Sequence, residues 1–186
     1  MPLVPQVELL PIGEVPADTM HALCADLSVA LGIHGQVCTE TLDFSFARHS
    51  SRGQFHSSEI LHRMKGMARA DARCLLGVTS LDLFIPILTF VFGEAELNGG
   101  CAIVSTHRLR QSFYGLPDDP VLERQRLLKE AVHELGHTFG LSHCEDYRCV
   151  MAPSHSVEWI DLKGAQFCRE CSLRARHPHG VFAFPG

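Results

Sequence analysis

The stretch HELGHTFGLSHCEDYRCVM, residues 133–151, holds three histidines, two cysteines, two glutamates and a methionine. His133 and His137 are four apart. On a helix that spacing puts both imidazoles on one face, one turn apart, where they can share one ion. Glu134 follows the first of them and points beside such an ion rather than at it, placed to accept a proton from a bound water. Gly140 ends the helix, where a left-handed residue lets the chain turn sharply. The turn returns His143 as a third ligand. Three neutral imidazoles leave a fourth position open, the mark of a catalytic rather than a structural zinc. A bare H-E-x-x-H occurs on ordinary helices. The longer H-E-x-x-H-x-x-G-x-x-H has a mechanical reason at each fixed place.

Eight cysteines divide unevenly along the chain. Cys24, Cys38, Cys74 and Cys101 are scattered through apolar segments and read as small buried hydrophobes. Cys144 and Cys149, then Cys168 and Cys171, form two local pairs, the usual composition of a closed structural zinc site. The bland alternative is a set of buried or redox-active thiols. The expectation is two zinc ions per chain, one catalytic and one structural. Because Cys144 abuts His143, the structural site would also fix the third catalytic ligand.

These side chains need elements to hold them. DDPVLERQRLLKEAVHELGHTFG (118–140) predicts a long helix, with Asp119 as N-cap, Pro120 at its first position and Gly140 as its stop. Ahead of it, strands are expected at 6–13, 36–44, 74–80, 88–97 and 101–109, the last two forming a hairpin over Asn98-Gly99-Gly100. Helices are expected at 16–33, with Met20, Leu23, Leu27, Ala30 and Leu31 on one face, and at 58–73, with Ile60, Leu61, Met64 and Met67 inward. Residues 45–57 read as a polar loop, and the tail 177–186 as loosely held. Strands alternating with helices predict an α/β (α+β) fold: a mostly parallel twisted sheet, an antiparallel edge strand and two to three helices.

The 186 residues suit one domain, and 46% hydrophobic residues suffice for a core. Its expected parts are an upper subdomain (1–140), a small zinc-stapled lower one (141–176) and the tail. The lower part is too small to hold itself by apolar burial alone. A formal charge of −5 argues against nucleic acid as a partner. No apolar run reaches the length of a membrane span. The N-terminus lacks the basic flank and cleavage site of a signal peptide. A cytoplasmic monomer without a propeptide is expected.

With Met151 eight residues past His143, the sequence resembles the metzincin metallopeptidases, in which such a methionine forms a tight turn beneath the metal. Adding Cys144, Cys149 and the later C-x-x-C narrows the likeness to the archaemetzincin family, which GVTSLDLF (77–84) and FVFGEAEL (90–97) also resemble. The resemblance covers most of the chain. It implies a zinc metallopeptidase with His133, His137 and His143 on the catalytic zinc and Glu134 as base. It further implies Met151 in the Met-turn and Cys144, Cys149, Cys168 and Cys171 on the structural zinc. Peptide or protein substrates are expected, with short peptides or N-termini favoured by the absence of a propeptide. Exo- and endo-cleavage stay open, as does the oxyanion donor; Tyr114, Tyr147 and His107 are left unassigned. The rival reading is a non-catalytic two-zinc binding or scaffold protein. The intact Glu134 opposes it, since a scaffold needs no base beside its metal.

Overall fold

A computed structural model describes residues 7–68, 72–177 and 180–181. In chain order the elements are β1 (Val7–Ile12), α1 (Ala17–Leu31), β2 (Gly35–Val37), β3 (Arg48–His49), β4 (Gln54–His56) and α2 (Ser57–Lys65). Then come β5 (Leu75–Thr79), β6 (Leu83–Phe84), β7 (Gly93–Ala95), β8 (Cys101–Ser105) and α3 (Pro120–Thr138). The C-terminal part holds α4 (Val157–Leu162), α5 (Arg169–Arg174) and the short pair β9 (Arg176–His177) and β10 (Gly180–Val181).

The main sheet has the order β2-β1-β5-β8-β7. Its first four strands are parallel, and β7 runs antiparallel to β8 at the edge. Side chains alternate across a strand, and the two faces sort accordingly. Val7 and Leu9, Leu76 and Val78, Ala102 and Val104 face one way, against Leu23, Leu27 and Leu31 of α1, Leu127, Ala131 and Leu135 of α3 and Phe139 at the C-cap of α3. Leu10 and Ile12, Leu75, Cys101 and Ile103 face the other way, against Ile60, Leu61 and Met64 of α2. Both faces are covered, so β5 and β8 are buried at every position. The apolar ridge of α3 recurs every fourth residue and holds that helix on the sheet. The face beside the ridge, bearing His133, Glu134 and His137, is thereby turned toward the edge strand β7.

Asp119 caps α3 as expected: the Leu122 N–H donates to its carboxylate at 2.9 Å, with Pro120 in the first turn. The mostly parallel sheet with its antiparallel edge also matches expectation.

Several boundaries differ. The strand expected over 36–44 is only Gly35–Val37, because its ladder with β1 covers Val7–Leu9 alone. Residues 45–57 are not all loop: β3 and β4 join β6 in a second, three-stranded sheet. That sheet shortens the strand expected over 88–97. The carbonyls of Leu88 and Thr89 are taken by the Arg52 guanidinium at 3.0 and 2.9 Å, and Gln54 donates to Thr89 at 3.0 Å. The Val91 N–H turns to Leu83 of β6 at 2.9 Å. Only 93–95 remain in the main ladder. The helix expected over 58–73 ends at Lys65, and residues 69–71 lie outside the described residues. So does most of the tail, 178–179 and 182–186. Among the described residues no helix is long and apolar enough to cross a membrane.

Candidate active site

α3 delivers His133 and His137, and its C-terminus delivers His143. The helix closes in a Schellman motif: Leu141 N–H donates to Gly136 O and Gly140 N–H to His137 O, both at 3.0 Å. Gly140 sits at φ +85, a left-handed conformation that glycine adopts without penalty. A Cβ there would also lie 2.7 Å from the Asn98 side chain in the β7–β8 turn. The turn directs His143 back toward the helix, and one nitrogen from each of the three rings lies within 4.8 Å of the others.

Each helical imidazole is locked from behind. His133 Nδ1 lies 2.8 Å from Val150 O and His137 Nδ1 2.7 Å from Leu141 O. A carbonyl can only accept, so both Nδ1 atoms carry the proton and both Nε2 atoms keep a free lone pair. Those two Nε2 atoms are 3.1 Å apart. A tetrahedral ion with nitrogen bonds of about 2.0–2.1 Å would have ligand edges of about 3.3 Å. Burial pushes the His133 pKa well below the usual imidazole range, with Lys163 and His137 adding to the effect. Burial lowers His137 and His143 as well. Neutral rings with lone pairs facing one point suit a divalent metal.

Glu134 is buried beside them in a cleft of about 480 Å³ that also holds all three histidines. Its side chain packs on Gly93 of β7, where an added Cβ would come within 2.7 Å of both its Cγ and Oε1. In the chain alone, burial and then the neighbouring Glu130 push its carboxyl well above the usual range, while Lys163 pulls it down. The wall opposite α3 is the 88–95 segment, and Ser154 and His155 complete the cleft.

Met151 is fully buried under α3. Its Sδ lies so close to Gly136 that a Cβ there would overlap it, and the Phe167 ring would be 3.0 Å away. The second cluster adjoins this turn. The sulfurs of Cys144, Cys149, Cys168 and Cys171 lie within 4.8 Å of one another. Cys144 and Cys168 are 3.9 Å apart, against about 3.8 Å for a tetrahedron with zinc–sulfur bonds of about 2.3 Å. Backbone N–H groups donate to the sulfurs: Cys168 and Met151 to Cys149 at 3.3 and 3.4 Å, Cys171 to Cys168 at 3.4 Å. Such bonds favour thiolates. The structure thus brings the seven candidate ligands into two separate groups, each of a size and chemistry that fits zinc.

The unassigned residues lie elsewhere. Tyr114 donates to Arg108 O at 2.9 Å, Tyr147 accepts from Arg148 at 3.1 Å, and His107 lies 3.1 Å from Ser80 O. None of the three lines the cleft. A larger groove, about 960 Å³ at the C-terminal ends of β1 and β5, contains none of the clustered ligands. The sequence pattern does not single out Gly93 and Gly136, whose missing side chains make room for Glu134 and Met151, or Glu94, Glu130 and Lys163. Glu130 stands one helical turn before Glu134, a spacing that could have drawn notice; Lys163 carries no local signal.

This arrangement of helix, edge strand and ligand cluster is that of a zinc metallopeptidase, and the comparisons agree. Residues 39–177 match the model of peptidase family M54. The archaemetzincin of Methanocaldococcus jannaschii is 37% identical over 182 residues, 98% of each chain. That of Thermococcus kodakarensis is 43% identical over 174 residues, 89% of this chain and 92% of its own. Among solved structures, the archaemetzincin of Archaeoglobus fulgidus, complexed with malonate, superposes with a TM-score of 0.77 at 37% identity, over 90% of this chain and 98% of that one. A zinc-dependent peptidase from Methanocorpusculum labreanum gives 0.83 at 28% identity, over 91% of this chain and all of that one. The chain belongs to peptidase family M54, the archaemetzincins.

Proposed function

We propose that this chain hydrolyses peptide bonds with two zinc ions bound, His133, His137 and His143 holding the catalytic one and Cys144, Cys149, Cys168 and Cys171 the structural one. The observation that carries the reading is the convergence of imidazole lone pairs, each helical ring locked by a carbonyl behind it, beside a buried carboxyl in one cleft. When bound, zinc supplies a Lewis acid for the scissile carbonyl and lowers the pKa of water toward about 7.

The remaining steps belong to the chain. Glu134, wedged between α3 and Gly93, accepts a proton from the attacking water and returns it to the leaving amine. Where its groups are not already taken by Arg52, Gln54 and β6, the 88–95 edge offers main-chain groups to an extended peptide. Glu94 lines the same cleft, its oxygens held by Ser57 and Ser58 at 2.5 and 2.7 Å. Its fixed negative charge suits the terminal ammonium of a short peptide. The 141–176 region acts as a zinc-stapled lower subdomain, and the enzyme works as a cytoplasmic monomer. The test is a Glu134→Gln variant assayed on a peptide library. It should keep its zinc and lose turnover; undiminished turnover would remove Glu134 as the base.

A further inference from the structure

Lys163 follows α4 and is 2% exposed; Glu130, on α3, is 3% exposed. An ammonium and a carboxylate this deep are expensive to desolvate, and such pairs give little net stability over an apolar pair of like volume. Their position is informative. Lys163 Nζ lies 2.9 Å from Glu130 Oε1 and donates to Ala152 O at 3.2 Å. It is 3.5 Å from His133 Nδ1, which already gives its proton to Val150 O.

Val150 and Ala152 flank Met151, so the ammonium clips one carbonyl of this turn while His133 binds the other. Glu130 is on α3 one turn before His133, so the pair fastens the turn to the helix that bears the histidines. Lys163 also begins the segment that joins the cysteine cluster. Gly164 N–H donates to Arg148 O at 2.8 Å, and Val150 N–H to Gln166 O at 3.1 Å. These bonds tie 148–150 to 164–166, just ahead of Cys168.

We propose that the Lys163–Glu130 pair is a positioning element of the histidine site: it holds the Val150–Ala152 carbonyl frame against α3, fixes the His133 ring and so sets how tightly the site keeps its metal. Groups that orient a metal's ligands from behind typically change its affinity by roughly 10–100-fold when removed. The inference rests on the metal site of the proposed function.

Two variants test it. Lys163→Met keeps the aliphatic stem and strands the Glu130 charge. Lys163→Met/Glu130→Leu replaces the pair with apolar groups, a change that leaves no uncompensated charge and is tolerated by folding. Wild type and both variants are loaded with cobalt(II). Thiolate-to-metal absorption reports the cysteine site, and the weaker ligand-field bands report the all-nitrogen site. Chelator competition then gives the affinity at each. The double variant should fold, keep its thiolate signal and lose roughly 10–100-fold in affinity at the histidine site. If it holds cobalt there as tightly as the wild type, the pair is only structural and the inference is overturned. If the wild type shows the thiolate signal alone, the proposed function itself fails, and this inference with it.

Discussion

Gly136→Ala should weaken a helix it would ordinarily strengthen. Position 136 is interior to α3, where alanine is favoured over glycine by about 0.8–1.0 kcal/mol. The new methyl, however, would overlap Met151 Sδ and lie 3.1 Å from Met151 Cε and 3.0 Å from Phe167 Cε1. Met151 has little room to yield. It is fully buried, its N–H donates to Cys149 Sγ at 3.4 Å, and its carbonyl accepts from Cys144 at 3.0 Å. Overpacking of this kind costs about 1–3 kcal/mol. The difference is a net loss of about 1 kcal/mol, or a Tm lower by about 2–4 °C in a chain of this length. Any shift of Met151 carries Val150 with it, and Val150 O is the partner of His133 Nδ1 at 2.8 Å. Zinc retention at the histidine site should therefore fall by roughly 10-fold or more. Calorimetry gives the first quantity and chelator competition the second. A higher Tm with unchanged zinc retention would refute the packing argument, leaving helix propensity as the whole effect.

Gly93→Ala places a Cβ 2.7 Å from Glu134 Cγ and Oε1 and 2.6 Å from Ile103 O; a carboxylate displaced by about 1 Å should lose turnover on the order of 10²-fold with zinc content intact, read by peptide hydrolysis beside metal analysis. Asp119→Ala removes the cap of α3 and should cost about 1 kcal/mol in chemical denaturation, leaving zinc content unchanged. Asp82 is raised by burial, but its bonds from Arg108 at 2.7 and 2.8 Å and from Gln54 outweigh this and leave its pKa below the usual aspartate value. A carboxyl depressed in the folded state adds stability above its unfolded pKa of about 3.9, and that stability is lost as pH falls through the lower folded value. The stability gap between wild type and Asp82→Asn should thus be constant near neutrality and shrink below about pH 4, as denaturation at several pH values would show.

Much of the site could be read locally. The four-residue spacing of His133 and His137, the cap at Asp119 and the left-handed stop at Gly140 all act within one helix, so a sequence pattern fixes them. The parallel core was legible for a similar reason: β1, β5 and β8 are short apolar runs between turn signals. What could not be read depends on partners far apart in the chain. Lys163 and Glu130 are joined only because α4 returns beneath α3. The 88–92 segment has the composition of a strand, yet Arg52 and Gln54 occupy its carbonyls and draw it from the main ladder. β3, β4 and β6 are two or three residues long, too short to display a period. Glycines that make room, as at 93 and 136, leave no mark in a sequence until their neighbours are known.

If the two ligand clusters are two zinc sites with different work, each binds its own ion. Zinc per chain in native protein tests it most directly, measured together with a Cys168→Ser/Cys171→Ser variant. The wild type should hold two zinc ions, falling toward one in the variant while the histidine site keeps its ion. A single zinc in the wild type, lost with the cysteines, would contradict it.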